Sequence, residues 1–166
     1  MRGDRLAMMQ IEIRRATAQD AEAVREIVLR AVREVNARDY PASVIDRLVL
    51  TLPERAAAKL EQWHAYVALV DGRVVGTGSL NGRTVSSVFV HPDHIGRGVG
   101  TKLMDAIENA AKNQSETTLE VQSSVTAYEF YAKRGFAVVR ESLFGEERTL
   151  LMSKELSSFP DSSGCA

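Results

Sequence analysis

Between Val90 and Gly100 the chain reads Val-His-Pro-Asp-His-Ile-Gly-Arg-Gly-Val-Gly, with three glycines on alternate positions behind a proline. Pro92 has no N–H to give a sheet ladder, so it ends the apolar strand expected over Val85–Val90. The glycines let the backbone turn tightly and leave its amides bare. Val99, Leu103, Ile107 and Ala110 or Ala111 then recur at helical spacing and predict an amphipathic helix from Val99 to about Ala111. Such a helix begins with unpaired N–H groups and the positive end of its dipole. A strand, a bare-amide turn and a helix in that order make a cradle for phosphate, and for a diphosphate above all.

Two common phosphate loops fit this stretch badly. A P-loop needs Gly-Lys followed by Ser or Thr, whereas the order here is Gly100-Thr101-Lys102. The dinucleotide fingerprint needs G-x-G-x-x-G in the first βα unit, and this chain has G-x-G-x-G past its midpoint. A glycine-rich turn that binds nothing is the plain alternative.

Downstream, Thr118-Leu119-Glu120-Val121-Gln122 reads as a strand and Val125 to Arg134 as a helix, closed by Gly135-Phe136. The run Ala127-Tyr128-Glu129-Phe130-Tyr131-Ala132-Lys133-Arg134-Gly135-Phe136, at this distance behind the glycine turn, resembles the GCN5-related N-acetyltransferase (GNAT) superfamily. That family's phosphate loop runs Q/R-x-x-G-x-G/A, and its later helix commonly reads A-x-x-x-Y-x-x-x-G-F. Either motif alone is weak, but the ordered pair is strong, and the resemblance covers Ile11 to Leu156. Two positions depart from the pattern. Ile95 stands at the Gln or Arg position, which mostly supplies a backbone amide. Ser124 stands where an Asn often opens the later helix, which removes one polar anchor.

The resemblance implies the acyl-CoA N-acyltransferase fold, a mixed α/β (α+β) sandwich. Its mainly antiparallel twisted sheet has about six to seven strands flanked by helices, with one strand pair splayed to admit CoA. It implies acetyl-CoA as co-substrate, no metal, and transfer of acetyl to a primary amine of a small molecule or peptide by direct attack through a tetrahedral intermediate. The diphosphate would then lie on the turn formed by Ile95, Gly96, Arg97, Gly98, Val99, Gly100 and Thr101, with the Arg97 charge assisting. The pantetheine arm would pair with backbone along Ser87 to Val90, with Val88, Phe89 and Val90 as contacts and Ser124 nearby, and a backbone N–H by Phe89 or Val90 would face the oxyanion.

Tyr131 matches the family tyrosine beside the thioester, where a phenol with pKa about 10 stays protonated and can donate to sulfur. Its other reading is a core aromatic. Glu120, between Leu119 and Val121, resembles the Glu that serves as base in the acetylases of ribosomal protein N-termini. Partial burial would raise its pKa and suit it to the role. Its other reading is a Glu bonded to backbone or paired with a cation, with water taking the proton. Tyr40, His64, Ser86 and Asp46 are candidates for the acceptor side. His91-x-x-His94 lacks the third ligand that a metal site needs, and Trp63 reads as core.

Composition bounds the rest. A chain of 166 residues suits one domain with a core that needs no disulfide. The expected division is a loose extension at residues 1–9, an acetyltransferase domain at 10–156 and a polar tail at 157–166. Lys and Arg number 21 against 22 Asp and Glu, a net charge of −1 that offers no footprint for nucleic acid or an anionic membrane. No apolar run reaches the roughly 18 residues of a membrane span, and Met1 to Gln10 lacks the apolar core of a signal peptide. The single cysteine, Cys165, suits a reducing cytoplasm.

Along the chain, Ile11 to Arg14 alternates as a first strand, and Thr17 with Asp20 resembles a capping box. Val24, Ile27, Val28, Ala31 and Val35 share one helical face, and Asp39-Tyr40-Pro41 breaks that helix. Ser43 would cap a second helix holding Val44, Leu48 and Leu52 inward, and Pro53 would start a third running to Gln62. Strands at Ala65–Val70, Val74–Leu80 and Thr84–Val90 are joined by Asp71-Gly72 and Asn81-Gly82, both type I′ hairpin signals. Ala137–Arg140 and Arg148–Met152 close the sheet. Three functions fit these features: a GNAT enzyme of a little-characterised bacterial branch, a non-catalytic CoA-binding module, and a P-loop-like nucleotide site needing ATP and magnesium. Homodimers are common in the superfamily.

Overall fold

A computed structural model describes residues 9–157. The extension expected at residues 1–9 and the tail expected at 157–166, with Cys165, lie almost wholly outside the described residues. The second strand explains the layering. In β2 (His64–Val70) Ala65, Val67 and Leu69 pack into one hydrophobic cluster while Ala68 and Val70 pack into another. A strand buried on both faces must sit between two layers of helices.

The first layer is α1 (Ala21–Glu34) and α2 (Ala42–Gln62). The Thr17–Asp20 capping box is present, closing a 3-10 turn that leads into α1. Val24, Ile27, Val28, Ala31 and Val32 of α1 are buried. Val35 is the residue after the last helical turn, half-buried at the edge of a cavity and not on the helix's inner face. α2 is one helix of 21 residues, where two were expected, and Pro53 lies inside it. An interior proline costs about 3 kcal/mol, but burying each large apolar side chain contributes roughly 1.5–3 kcal/mol. Val44, Ile45, Leu48, Ala56, Ala57 and Leu60 stay in helical phase across Pro53, and that burial outweighs the lost hydrogen bond. Ser43 caps nothing: Pro41 holds the N-cap position, and the Ser43 hydroxyl donates to Glu146.

Seven strands form one sheet. Besides β2 these are β1 (Glu12–Arg15), β3 (Arg73–Asn81), β4 (Thr84–Val90), β5 (Thr118–Ser124), β6 (Ala137–Phe144) and β7 (Glu147–Glu155). Their order is β1-β2-β3-β4-β5-β7-β6, antiparallel throughout except for the parallel β4–β5 pair. Asp71 and Gly72 both take positive φ, as a type I′ turn requires. The next turn differs from expectation. Asn81 pairs with Thr84, so its central residues are Gly82 and Arg83, and only the glycine has positive φ, the type II′ pattern.

The second layer is α3 (Val99–Asn113) and the short α4 (Tyr128–Lys133). Two glycines of β3 let α3 lie close on the sheet. A Cβ at Gly76 would stand 2.8 Å from Val99 and one at Gly78 2.9 Å from Ile107. The helix expected from Val125 begins only at Tyr128, because side chains claim the backbone before it. The Tyr40 hydroxyl accepts from Val125 N–H at 2.9 Å and donates to the Arg148 carbonyl, and Ser124 Oγ accepts from Ala127 N–H. No helix among the described residues is long and apolar enough to cross a membrane.

Replacing Tyr40 with Phe keeps the ring and orphans a buried N–H and a carbonyl, so Tyr40→Phe should cost about 1–3 kcal/mol in urea unfolding. Asp20 is buried, receives both Arg14 guanidinium nitrogens at 2.9 Å, and accepts from Thr17 N–H. Arg14 above all holds its carboxyl below the ordinary range. A carboxylate lowered on folding adds stability above its unfolded pKa of about 3.9 and loses it as pH falls through the lowered folded value. Asp20→Asn should therefore be less stable than the parent at pH 7, and the gap should close on titration toward pH about 2.

Candidate functional site

The glycine turn forms as the residue types dictate. Gly96 and Gly98 have φ of +81° and +89°, in the left-handed region where an L side chain is strained. Gly100 is needed for a different reason: a Cβ there would meet the Phe130 ring at 3.2 Å. The first hydrogen bond of α3 runs from Lys102 N–H to the Gly98 carbonyl, so the amides of Val99, Gly100 and Thr101 have no partner within the helix.

Behind the turn β4 leaves β5. The two strands pair only at Thr84 with Glu120 and Val85 with Val121. At the parting, Ser87 takes φ +56° and the β3–β4 register shifts between Thr77 and Ser79. This bulge bends β4 away from its neighbour. Further on, His91 N–H donates to the Val75 carbonyl on the β3 side, so by strand alternation the main-chain groups of Val88 and Val90 face the open gap.

Two cavities meet in that gap. The first, of about 300 Å³, lies between the glycine turn, the end of α1 and the start of α4. Val88, Phe89, Val90, Ile95, Gly96, Gly98, Val99, Gly100, Thr101, Ser124 and Tyr131 line it, which brings together nearly every binding residue expected from the sequence. Arg97 is exposed and does not line it. Two of the lining residues each keep one polar atom buried behind the wall without a partner, His94 Nδ1 and Thr126 Oγ1. Buried polar groups usually find partners. The bare amides at the start of α3 fit a diphosphate, and the gap-facing main-chain groups of β4 fit the amide-bearing arm of CoA. Burial, then the Arg97 charge, lowers the pKa of His94, so its ring is neutral at pH 7 and offers one nitrogen as donor and one as acceptor.

The second cavity, of about 500 Å³, lies on the opposite side, between α2, β4, β5 and the β6–β7 hairpin. It shares Val88, Phe89, Ser124 and Tyr131 with the first, so the two open on one point. Tyr131 is buried there, edge-on to Phe130 and Phe136 with ring centroids 5.2 and 5.3 Å away. Burial pushes its phenol well above the ordinary range, so it stays protonated. Tyr40 and Ser86 line the second cavity as expected for the acceptor side, although the Tyr40 hydroxyl is spent on Val125 and Arg148.

Other expectations are not met in place. Glu120 lines neither cavity, and its carboxylate stands 3.4 Å from Arg83. It sits on the still-paired rung of β4 and β5, short of the gap. His64 bonds Tyr66 at 2.7 Å, away from both cavities, and Asp46 is exposed. Trp63 is half-buried beneath the Lys59 ammonium and is not core. His91 is engaged by Arg30 at 3.0 Å and by Asp93 N–H, and among the described residues no three metal-ligating side chains converge.

Sequence reasoning missed Asn36, His94, Thr126, Arg55 and Lys59, all of which line a cavity. His94 had a signal in its place within the turn. The others depend on which elements meet in space.

Known proteins agree with this geometry. The profile of an acetyltransferase (GNAT) domain family matches residues 36–155. The uncharacterised N-acetyltransferase YafP of Escherichia coli K12 is 28% identical over 134 residues, spanning 81% of this chain and 86% of its own. Among solved structures, a GCN5-related N-acetyltransferase of Rhodopseudomonas palustris superposes with TM-score 0.81 at 27% identity, covering 90% of this chain and 97% of its own. The PaiA N-acetyltransferase of Thermoplasma acidophilum, solved with coenzyme A, shares the fold at TM-score 0.72 and 18% identity, covering 89% of this chain and 99% of its own. A sheet forked beside a glycine-turn helix, and a family profile over most of the chain, lead to one assignment: this chain belongs to the GNAT acetyltransferases.

Proposed function

We propose that the chain moves acetyl from acetyl-CoA to a primary amine of a small molecule or peptide. The observation that carries this reading is the meeting of two cavities at Tyr131, in the gap where β4 and β5 part. The first cavity suits the co-substrate. The amides of Val99, Gly100 and Thr101 would hold the diphosphate, and the gap-facing groups of Val88 and Val90 would pair with the pantetheine arm. The second cavity suits the amine.

In this reading the amine nitrogen bonds the acetyl carbon, the carbon–sulfur bond breaks, and sulfur leaves with its electron pair. The Val88 or Val90 N–H donates to the oxygen on which charge builds. Tyr131, kept protonated by burial, donates its proton to sulfur. Glu120 has no line to this point, so the amine's proton passes to water in the second cavity. A non-catalytic CoA-binding module remains the competing reading, and it differs in binding without turnover.

Acetyl-CoA and CoA should each raise the melting temperature, with ligand at 100 times its Kd adding about 2.7 kcal/mol, while ATP with magnesium and NAD should not. A shift with ATP alone would reverse the reading of the glycine turn. Thiol release with a panel of amines then separates enzyme from module. Tyr131→Phe should lose at least about tenfold in kcat with little change in stability, whereas Glu120→Gln should stay within about twofold. The parent should show no alkaline loss of kcat from Tyr131 below about pH 10, because its folded pKa is raised above that of a free phenol.

A further inference from the structure

The α2 wall of the second cavity carries two cations one helical turn apart, Arg55 and Lys59. Among the described residues neither forms an ion pair. The carboxylate that lines the same cavity from β7, Glu147, is taken by Arg47 at 2.7 Å. Lys59 is partly buried and held only by neutral groups: Ser86 Oγ at 2.8 Å, Ser87 Oγ at 3.1 Å and the face of Trp63 at 4.9 Å.

The hydrogens settle what is missing. Each serine oxygen accepts a proton from Nζ, so each hydroxyl hydrogen must point away from the ammonium. Neither hydroxyl donates to another group among the described residues, and one Nζ hydrogen is left to the indole face. The cavity wall therefore offers polarised O–H donors beside a cation, with no acceptor. Ser87 reaches this place through a backbone conformation uncommon for a residue with a side chain. An apolar residue at 59 would cover Trp63 without the cost of desolvating a charge, so the ammonium does not serve packing. Burial and the Arg55 charge both lower the pKa of Lys59, and an anion would reverse that strain.

We propose that the acceptor amine also carries a carboxylate, as an amino acid does, and that Lys59, Ser86 and Ser87 with Arg55 form the subsite that receives it. The inference rests on the second cavity being the acceptor side. Two hydroxyl donors match the two oxygens of a carboxylate, beside the Lys59 charge and with the exposed Arg55 adding charge from the same helix. A cavity of about 500 Å³ is the size of a small-molecule site.

The test uses matched pairs, each an amino acid and its decarboxylated amine: leucine with isopentylamine, methionine with 3-(methylthio)propylamine, phenylalanine with phenethylamine, and arginine with agmatine. The parent protein should prefer the acid by at least about tenfold in kcat/KM, the scale of one charge-assisted hydrogen bond. Lys59→Met, which keeps the stem over Trp63, should bring that ratio close to one, and Lys59→Arg should restore part of it. Ser87→Gly removes a donor, suits the positive φ and should lower the ratio less. A parent preference for the decarboxylated members, or a ratio unmoved by Lys59→Met and Ser87→Gly, would overturn the subsite.

A second readout does not depend on turnover. Trp63 is the chain's single tryptophan, so its emission in the CoA-loaded protein reports the Lys59 site during titration with the same acids. Saturable change with the acids, lost in Lys59→Met, with no acetyl transfer would leave the subsite standing and remove the acetyltransferase reading. Transfer without an acid preference would do the reverse. Acids that neither change the emission nor show a preference sink the subsite. The CoA-induced melting shift checks that each variant is folded.

Discussion

The whole site depends on two strands that run side by side for two residues and then part. A sheet loses stability wherever neighbouring N–H and C=O groups go unpaired, and in mid-sheet the loss is greatest because no solvent edge lies nearby. Here the fork follows from the bulge at Ser87, which turns β4 outward, and from the α3 N-terminus set against the far end of the same strand. The helix can come so close because β3 presents Gly76 and Gly78 beneath Val99, Leu103 and Ile107. Backbone groups left open on β4 and amides left open on α3 then lie along one continuous path. That path is long and amide-lined, which suits a ligand with an anionic head and an amide-bearing tail.

The two sides of the fork use different electrostatics. The first cavity relies on main-chain dipoles and neutral polar atoms, with Arg97 outside its lining. The second carries unbalanced cations on α2. A net charge of −1 conceals this, because charge acts over about 8–10 Å at ordinary ionic strength and a chain-wide sum says nothing about one wall of one cavity. Tyr131 stands where the two environments meet, packed edge-on against Phe130 and Phe136.

Much of the fold was legible in the chain because the signals were local. Asp71-Gly72 can do little but turn a hairpin, and three alternate glycines behind Pro92 can do little but bare their amides. The failures share a cause too. Pro53 reads as a helix start until the apolar stripe of α2 is seen to lie on β2, where packing overrides propensity. Val125 to Ala127 read as helix until Tyr40, 85 positions earlier than Val125, is found holding the backbone of that segment. Lys59 drew no reading of its own within the helix expected from Pro53 to Gln62, because nothing in its neighbourhood of sequence reveals the serines of β4. Ser87 looked like an ordinary strand residue because its positive φ comes from register and not from residue type.

The fork also explains how Glu120 could resemble a base and yet have no place at the junction. On β5, Leu119, Val121 and Ser123 are buried on one face, and Glu120 and Gln122 turn to the other. Facing the correct way is not sufficient. Glu120 stands opposite Thr84, on a rung where β4 still closes against β5, and Arg83 from the adjoining turn reaches its carboxylate. Side chains that serve the reacting atoms must come after the last paired rung, Val85 with Val121, because only there does the sheet open. By that rule the useful part of β5 is Gln122 to Ser124, all three of which line the second cavity, and the useful part of β4 begins at Ser86. A motif fixes the order of residues along a strand, but the position of the last hydrogen-bonded rung decides which of them can take part.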